Sequence, residues 1–245
     1  MTDTRWHGCA WMRPGVLAFT GAIGATDTHA HHAVQIITAT TALTVLDAAG
    51  TAHTGRQVIV PADTAHRIIT GAAAGTVIFL DPETAAGAAA HHRAAHSGWS
   101  TGFALPGGPD EGATLGDAVT ALLTALTPTT STVAVGRHQA VTAALNLIPD
   151  LIAEGAVGTG ELAARVGISP SRLTHLFTTE VGLPVRRYVL WQRLLAAVIA
   201  VAAGRDLTTA AHAAGFADSA HLTRTCRENF GLPPSALRRN ISWHR

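Results

Sequence analysis

The C-terminal half of the chain contains an internal repeat, which strongly limits how it can fold. The first copy contains Gly167 and closes with Gly182-Leu-Pro184, and the second contains Gly215 and closes with Gly231-Leu-Pro233. The inner glycines are 48 residues apart and the closing glycines are 49 apart, so the second copy has one additional residue in its turn. A repeat of this length indicates two copies of one supersecondary unit.

Each copy predicts a short helix, a glycine turn and a second helix. Ser169, followed by Pro170 at the first helical position, caps the second helix of one copy, and Asp218 caps that of the other. This is the helix-turn-helix pattern, whose second helix enters a major groove of DNA. A continuous helix from Pro184 to Ala203 would hold the two recognition helices about 34 Å apart, the spacing of successive grooves. A helical bundle with no role in nucleic-acid binding is the alternative.

Residues 137–239 resemble the DNA-binding domain of the AraC/XylS family of bacterial transcription regulators. The most specific part is Ala214-Gly-Phe216, followed by Leu222-Thr-Arg and Phe230-Gly-Leu-Pro-Pro-Ser235. The sequence carries smaller side chains than the family usually has at four core positions, which are Ala210, Leu222, Cys226 and Leu237. We therefore expect a less tightly packed second unit that keeps its function.

The resemblance implies two sets of DNA contacts. Bases would be read by Ser171, Thr174 and His175 in the first unit, and by Ser219, His221, Thr223 and Arg224 in the second. Arg224 is the strongest candidate because a guanidinium donates two hydrogen bonds to guanine O6 and N7. Phosphate contacts, which set affinity and register, would come from Arg172, Arg186, Arg187, Arg227, Arg238 and Arg239. The alternative for any one arginine is a solvated surface position. The helical spacing predicts core positions for Leu173, Leu176, Phe177, Leu222 and Phe230.

The charge of the chain is unevenly distributed. Residues 137–245 hold 12 arginines against 7 acidic residues, whereas residues 1–136 hold 5 against 9. An acidic half followed by a basic half predicts two domains, the second facing a polyanion, although an uneven scatter of solvated charges is the alternative. All 17 basic residues are arginine and alanine is abundant, a bias typical of a GC-rich bacterial genome, so we give individual alanines little weight.

The N-terminal half has a different periodicity. Runs rich in β-branched residues begin at Val34, Leu43, Gln57 and Thr76, and they predict an antiparallel barrel or sandwich. The following stretch, rich in Ala, Gly and His up to about residue 112, predicts loop and linker. One face of a helix that Pro128 ends is then formed by Leu115, Val119, Leu122, Leu123 and Leu126.

Histidines supply the best candidate site in this half. His29 and His31 share one face with Gln35 by period-two alternation, while His32 points to the other face. With Gly55, Pro61 and His66, they resemble the cupin barrel, whose motifs are His-x-His with a downstream Glu and Gly-x5-Pro-x-Gly-x2-His. Gln35 replaces that Glu, and Asp63 replaces the second Gly. A barrel of this kind is the usual sensory domain of arabinose-type members of the regulator family.

Two interpretations of these histidines remain open. His29, His31 and His66 would make a three-ligand site for a divalent metal, although the amide of Gln35 is a poorer ligand than a carboxylate. Alternatively, the histidines bind one another or line a pocket for a small organic effector. No cofactor is certain from the sequence. His92 and His96 have metal-competent spacing if helical, but mobile surface histidines are the expected interpretation there.

Several functional classes find no support. The sequence has no nucleophile elbow, phosphate loop, paired carboxylates or zinc-finger spacing. The longest purely apolar run, from Leu194 to Ala203, is ten residues, so we expect no membrane span, which needs about 20. The N-terminus lacks the pattern of a signal peptide. Cys9 and Cys226 are too few for a disulfide framework, which predicts a cytoplasmic protein.

We therefore expect an α+β chain: a cupin-like effector-sensing antiparallel barrel at 1–88, a linker with a dimerisation helix at 89–136, and an AraC-type domain with two helix-turn-helix units at 137–245. The predicted function is transcription regulation, as activator or repressor, through binding of double-stranded promoter DNA in two successive major grooves. A metal-responsive regulator using His29, His31 and His66 is the alternative, and a metal-dependent cupin enzyme is a remote one. Family analogy adds a homodimer and contact with RNA polymerase. Burial of the Leu115–Leu126 stripe within its own domain would explain its periodicity equally well.

Overall fold

A computed structural model describes residues 6–100, 114–127, 136–155, 157–239 and 241–244, without the side chains of 237–239 and 244. In chain order the elements are β1 (His7–Arg13), β2 (Val16–Ile23), β3 (Val34–Asp47), β4 (Ala52–Val60), β5 (His66–Thr70), β6 (Ala72–Leu80), α1 (Ala85–Ser97), α2 (Leu115–Leu126), α3 (Gln139–Glu154), α4 (Thr159–Arg165), α5 (Pro170–Val181), α6 (Val185–Ala202), α7 (Leu207–Ala213), α8 (Ser219–Phe230), α9 (Pro234–Arg239) and β7 (Ile241–His244). The chain divides into two compact units, one of Met1–Thr130 with Cys226–Arg245 and the other of Ser131–Thr225.

The strands of the first unit form one sheet in the order β4-β3-β6-β2-β1-β7, with β5 paired to β3. β3 is 14 residues long, and its pairing with β4 changes register between Thr38 and Leu43. The first half of β3 also pairs with β6, and its second half pairs with β5. The pairs are antiparallel except that of β1 with β7, which is parallel. The α+β class and the antiparallel N-terminal sheet are thus confirmed. Among the described residues the sheet does not close into a barrel, because its two edge strands, β4 and β7, do not pair with each other.

Helix α2 confirms the periodic stripe and places it in the core of its own unit. Val119, Leu122 and Leu126 are buried, and the helix packs on β1 and β2. The helix ends at Leu126, and Pro128 lies outside the described residues. Since its apolar face is covered within the unit, the stripe does not require a second subunit.

Helix α1 corrects the expectation of a loop after residue 82. Thr84 caps it by accepting a hydrogen bond from the amide of Gly87 at 3.1 Å, and Ala86, Ala90 and Ala94 are buried against the sheet. Alanine has the highest helix propensity, so an alanine-rich stretch behind a threonine cap forms a helix. The exposed His92 and His96 therefore stand on a helix, where their rings stack at 3.9 Å.

The helix-turn-helix units have the predicted boundaries. Ser169 Oγ accepts a hydrogen bond from the amide of Arg172 at 3.3 Å, and Asp218 Oδ1 accepts one from His221 at 2.6 Å. The inner and closing glycines of both units have positive φ, which favours glycine at these turns. Helix α6 confirms the connecting helix.

The predicted core positions of these units are buried, except Leu176. Leu173 and Phe177 are fully buried, Leu222, Cys226 and Phe230 are also buried, and Leu176 is half-buried. Leu237 lies outside the described side chains. Both cysteines are free, and burial raises the pKa of the Cys226 thiol to about 12. Within the described residues, no helix has both the length and the apolar character that crossing a bilayer requires.

Candidate functional site

The first recognition helix, α5, exposes a polar face opposite its buried residues. Ser171, Thr174 and His175 are exposed and lie three and four residues apart, so they share one face. Thr174 Oγ1 donates its hydrogen to the carbonyl of Pro170 at 2.9 Å. Its oxygen therefore offers lone pairs, which suit a donor such as an adenine or cytosine amino group.

The second recognition helix, α8, presents a different chemical surface. Arg224 is exposed, whereas Ser219, His221 and Thr223 are half-buried. Thr223 Oγ1 donates to the carbonyl of Ser219 at 2.7 Å, and the His221 ring meets Phe216 edge-on at 5.1 Å. Arg224 is therefore the side chain of this set that extends furthest into solvent.

The arginines expected at phosphates occupy exposed positions where these are described. Arg172 is on α5, Arg186 and Arg187 are in the first turn of α6, and Arg227 is on α8. Within the described part of the chain, no ion pair holds any of these four side chains. The side chains of Arg238 and Arg239 lie outside the described residues.

The sheet brings together the three histidines singled out in the sequence. His29 and His66 face each other across an isolated bridge, with two backbone N–H···O bonds of 2.9 Å. His31 follows two residues after His29, and all three side chains are buried. One ring nitrogen from each lies within 4.8 Å of those of the other two. Within the described residues, these histidines are the one group of three side chains arranged to hold a metal ion.

Hydrogen bonds fix how each imidazole presents its nitrogens. Nδ1 of His29, His31 and His66 lies 2.8, 2.9 and 2.8 Å from the carbonyls of Asp27, Ala33 and Thr64, respectively. A carbonyl only accepts, so each Nδ1 carries the hydrogen and each Nε2 carries a lone pair. Outer carbonyl partners of this kind typically orient histidines that ligate metals.

Gln35 completes the cluster. Its side-chain oxygen Oε1 lies 2.8 Å from Nε2 of His66 and 3.4 Å from Nε2 of His31. A lone pair on Nε2 requires a donor, so the amide would have to turn its NH₂ toward these nitrogens to satisfy them. In the orientation described, the amide oxygen faces the cluster, where it would be a weak fourth ligand for an ion.

Burial keeps these imidazoles neutral. It lowers the pKa of His29 and lowers that of His66 to about 3. The pKa of His31 falls well below its usual value through burial first, and through the neighbouring His66 and His29 second. Neutral imidazoles with converging lone pairs bind either a divalent cation or a ligand that donates hydrogen bonds.

The turn before His66 explains one departure from the cupin pattern. Asp63, which replaces a glycine of that motif, has φ of 61° and is the one non-glycine residue with positive φ among those described. Its amide donates to the carbonyl of His31 at 2.9 Å, and its carboxylate lies 2.8 Å from Nδ1 of His32. His32 thus points away from the cluster, as the strand alternation predicts.

Sequence reasoning missed several residues around the cluster. Phe79 meets the His31 ring edge-on at 5.1 Å, Trp99 faces His66 at 6.4 Å, and Gly231 packs on His29. The aromatic residues carry no local signal that separates them from ordinary core residues. The sequence identifies Gly231 only as the closing residue of a helix-turn-helix unit.

Comparisons with known proteins agree with this fold. The family described as helix-turn-helix domain matches residues 162–240. ToxT from Vibrio cholerae O395 is similar over 91% of this chain and 96% of its own, with a TM-score of 0.54 and 10% identity. A transcriptional regulator with an AraC-type DNA-binding domain from Chromobacterium violaceum is 28% identical over 40% of this chain and 88% of its own, with a TM-score of 0.39. No curated protein matches the chain.

The likeness to ToxT and the domain match extend over different lengths of the chain. At 10% identity, the likeness to ToxT shows the fold alone, and it extends over the β-rich unit as well as the helices. The domain match covers both helix-turn-helix units, whose capped helices and closing glycines are described above. Residues 162–240 therefore form a helix-turn-helix domain, and the chain as a whole has a ToxT-like fold.

Proposed function

We propose that this chain is a transcription regulator of the AraC/XylS type, that it binds promoter DNA in two successive major grooves through α5 and α8, and that it senses a small effector in its N-terminal sheet domain. The observation that carries the DNA-binding mode is the pair of capped helices, each with a buried apolar face and an outward polar face. A connecting helix of 18 residues, α6, separates the two units along the chain. The basic charge of the C-terminal half suits a polyanionic partner.

The proposal assigns different roles to the two helices. On α5, Ser171, Thr174 and His175 would read bases through exposed hydroxyl and imidazole groups. On α8, Arg224 would select guanine, with Ser219, His221 and Thr223 beside it. Phosphate contacts would come from Arg172, Arg186, Arg187, Arg227, Arg238 and Arg239.

The test is protection of the DNA upstream of the regulator's own coding region by the full-length protein. We expect two protected segments about one helical turn apart for each protomer, and binding that weakens steeply with added salt. Binding that is insensitive to salt, or a single protected segment per protomer, would contradict the two-groove arrangement. Addition of Zn²⁺ and of cell extract in parallel covers the case in which binding needs an effector.

The remaining parts of the proposal rest on the family and on the sequence. We assign 1–88 to effector sensing, 89–136 to a linker, and 137–245 to DNA binding, in a cytoplasmic protein. A homodimer and contact with RNA polymerase follow from family analogy. A barrel enzyme would have no use for a helix-turn-helix repeat, so regulation is the better explanation of the whole chain.

The second candidate function is regulation by a divalent metal. The specific observation in its favour is that one ring nitrogen of each of His29, His31 and His66 lies within 4.8 Å of those of the other two, while the three Nδ1 atoms are held by carbonyls. Three protein ligands with an open position suit Zn²⁺, and imidazole also suits Ni²⁺ and Cu²⁺. An organic effector would use the same nitrogens as hydrogen-bond acceptors.

Metal content distinguishes the two effector classes. We expect untagged protein purified without chelator to carry one metal ion per chain, and a His29→Ala/His66→Ala variant to carry none. A His92→Ala/His96→Ala variant is the matched control, since it removes two exposed histidines and leaves the cluster intact. Equal metal content in all three proteins, or metal lost only with His92 and His96, would assign the cluster to an organic effector.

A further inference from the structure

The loop that carries His29 also holds the end of α8. The amide of Ala30 donates to the carbonyl of Glu228 at 3.0 Å, and the amide of Asp27 donates to the carbonyl of Gly231 at 3.2 Å. The carbonyl of Asp27 in turn accepts the hydrogen bond from His29 Nδ1 at 2.8 Å. All these residues belong to the first compact unit, which includes Cys226–Arg245. One residue thus joins a cluster histidine to the turn that follows the second recognition helix.

Gly231 lies directly against that histidine. A Cβ at this position would stand 2.6 Å from Asp27 O, 2.7 Å from His29 Nδ1 and 2.8 Å from Thr26 Cβ, all closer than side chains in proteins approach. Its φ of 65° independently favours glycine. The backbone of this turn therefore covers the His29 side of the cluster without any intervening side chain.

Two further contacts extend the covering. Phe230 meets Phe79 edge-on at 5.6 Å, and Phe79 meets the His31 ring edge-on at 5.1 Å. Beyond the turn, β7 pairs with β1 through residues 241–244. The segment is therefore held at both ends while its middle rests on the cluster.

We propose that the segment Glu228–Gly231 is a lid on the histidine cluster, and that it couples occupancy of the cluster to the second recognition helix. Arg224 precedes the lid by less than two helical turns on the same continuous helix. A helix transmits displacement along its axis, so a ligand that moves His29 also moves the end of the helix that carries Arg224. The coupling, though not the lid itself, rests on the proposed effector and DNA-binding roles.

The chain contains its own control for testing the lid. Gly182 closes the first unit as Gly231 closes the second, with φ of 81°, and a Cβ there would meet nothing within 4 Å. Gly231→Ala and Gly182→Ala therefore share the backbone strain, but only the first collides with the loop of His29. A difference in behaviour between the two variants therefore measures the effect of contact between residue 231 and the loop that carries His29.

The first measurement is hydrogen exchange in the full-length, chelator-treated proteins. We expect the amides of Asp27 and Ala30 to exchange roughly tenfold or more faster in Gly231→Ala than in Gly182→Ala. Diethyl pyrocarbonate should modify His29 faster in the same variant, while the exposed His175 reacts alike in all proteins. Equal exchange and equal modification in the two variants would overturn the lid.

A measurement on the wild-type protein keeps the test valid if Gly231→Ala does not fold. A lid opens without unfolding the sheet, so the amides of Asp27 and Ala30, which both donate to the lid, should exchange at one shared rate, well above that of the β2–β6 amides. Exchange of these two amides only together with the central strands would overturn the proposal.

The coupling has its own readout. Zn²⁺ should change the affinity of the wild-type protein for the upstream DNA by about 5- to 150-fold, and likewise that of Gly182→Ala, but not that of Gly231→Ala. Zinc binding at the cluster without any change in wild-type DNA affinity would overturn the coupling. A protein that binds no zinc removes the metal candidate instead, and the exchange results then decide the lid by themselves.

Discussion

At the scale of single residues, the two recognition helices differ in how much sequence information they can extract. Helix α5 offers hydroxyl groups and one imidazole, which form single hydrogen bonds that several bases can satisfy. Helix α8 offers Arg224, whose guanidinium is exposed and able to form two bonds to one guanine. The base selectivity of the protein should therefore depend mainly on its second unit, with the first contributing affinity and register.

Replacing Arg224 tests this division. Arg224→Ala should cost about 1–3 kcal/mol of binding free energy on the cognate site and relax the preference at one base pair. Titration of cognate and randomised duplexes at fixed salt gives both quantities. Arg205→Ala is the control, because Arg205 is exposed between α6 and α7 and outside both recognition helices. If Arg224→Ala weakens cognate and random duplexes equally, Arg224 contacts phosphate and not a base.

Burial of the cluster histidines makes the stability of the metal-free protein sensitive to acid. His66 has an ordinary pKa of 6.5 in the unfolded chain and about 3 in the folded protein. Between these values the unfolded state binds a proton that the native state does not, so the free energy of unfolding falls as the pH falls. Above pH 6.5 this contribution is fully present and constant. The expected slope is about 1.4 kcal/mol per pH unit for each such histidine.

Urea denaturation from pH 4 to pH 8 in the presence of chelator measures this slope. The His66→Gln variant should lose stability less steeply than the wild type below pH 6.5, whereas His175→Gln, at an exposed position, should follow the wild type. Parallel curves for His66→Gln and the wild type would mean that His66 is protonated in the native state.

At the scale of elements, the sequence predicted those whose signals are local. The helix-turn-helix units carry a cap, a turn glycine and an apolar face within about twenty residues, and each cap forms the expected bond. The histidines were predictable as a group because strand alternation and one tight turn bring them to the same place. The same placement brings the Gln35 side chain to Nε2 of His66.

The β1–β2 hairpin and helix α1 are not predicted from the sequence, because their local signals are weak or are given little weight. The β1–β2 hairpin contains no run of β-branched residues, and its turn is Pro14-Gly15, between the paired Arg13 and Val16. Pro-Gly is a turn signal, but the strand prediction rests on runs of β-branched residues and does not include it. Helix α1 is rich in alanine, which has the highest helix propensity. The sequence prediction gives alanine little weight because its abundance is typical of a GC-rich genome. The contact of Gly231 with His29 joins positions about 200 residues apart in the chain, so local pattern could not predict it.

At the scale of the whole molecule, the boundary between the compact units does not coincide with the boundary expected from the sequence. The basic, helix-rich half begins at Arg137, yet residues 226–245 belong to the compact unit of the sheet. The division falls within α8, after Thr225. Helix α8 therefore contributes residues to both compact units.

The parallel pairing of β7 with β1 has a consequence for how the protein is made. Residues 241–244 are synthesised more than 220 residues after β1. One edge of β1 therefore has no partner strand during most of translation. During that interval, an open strand edge is a site for pairing with other nascent chains. The N-terminal domain expressed as an isolated fragment would retain this open edge permanently. We expect aggregation of such a fragment to result from the absence of β7 and not from an unstable hydrophobic core.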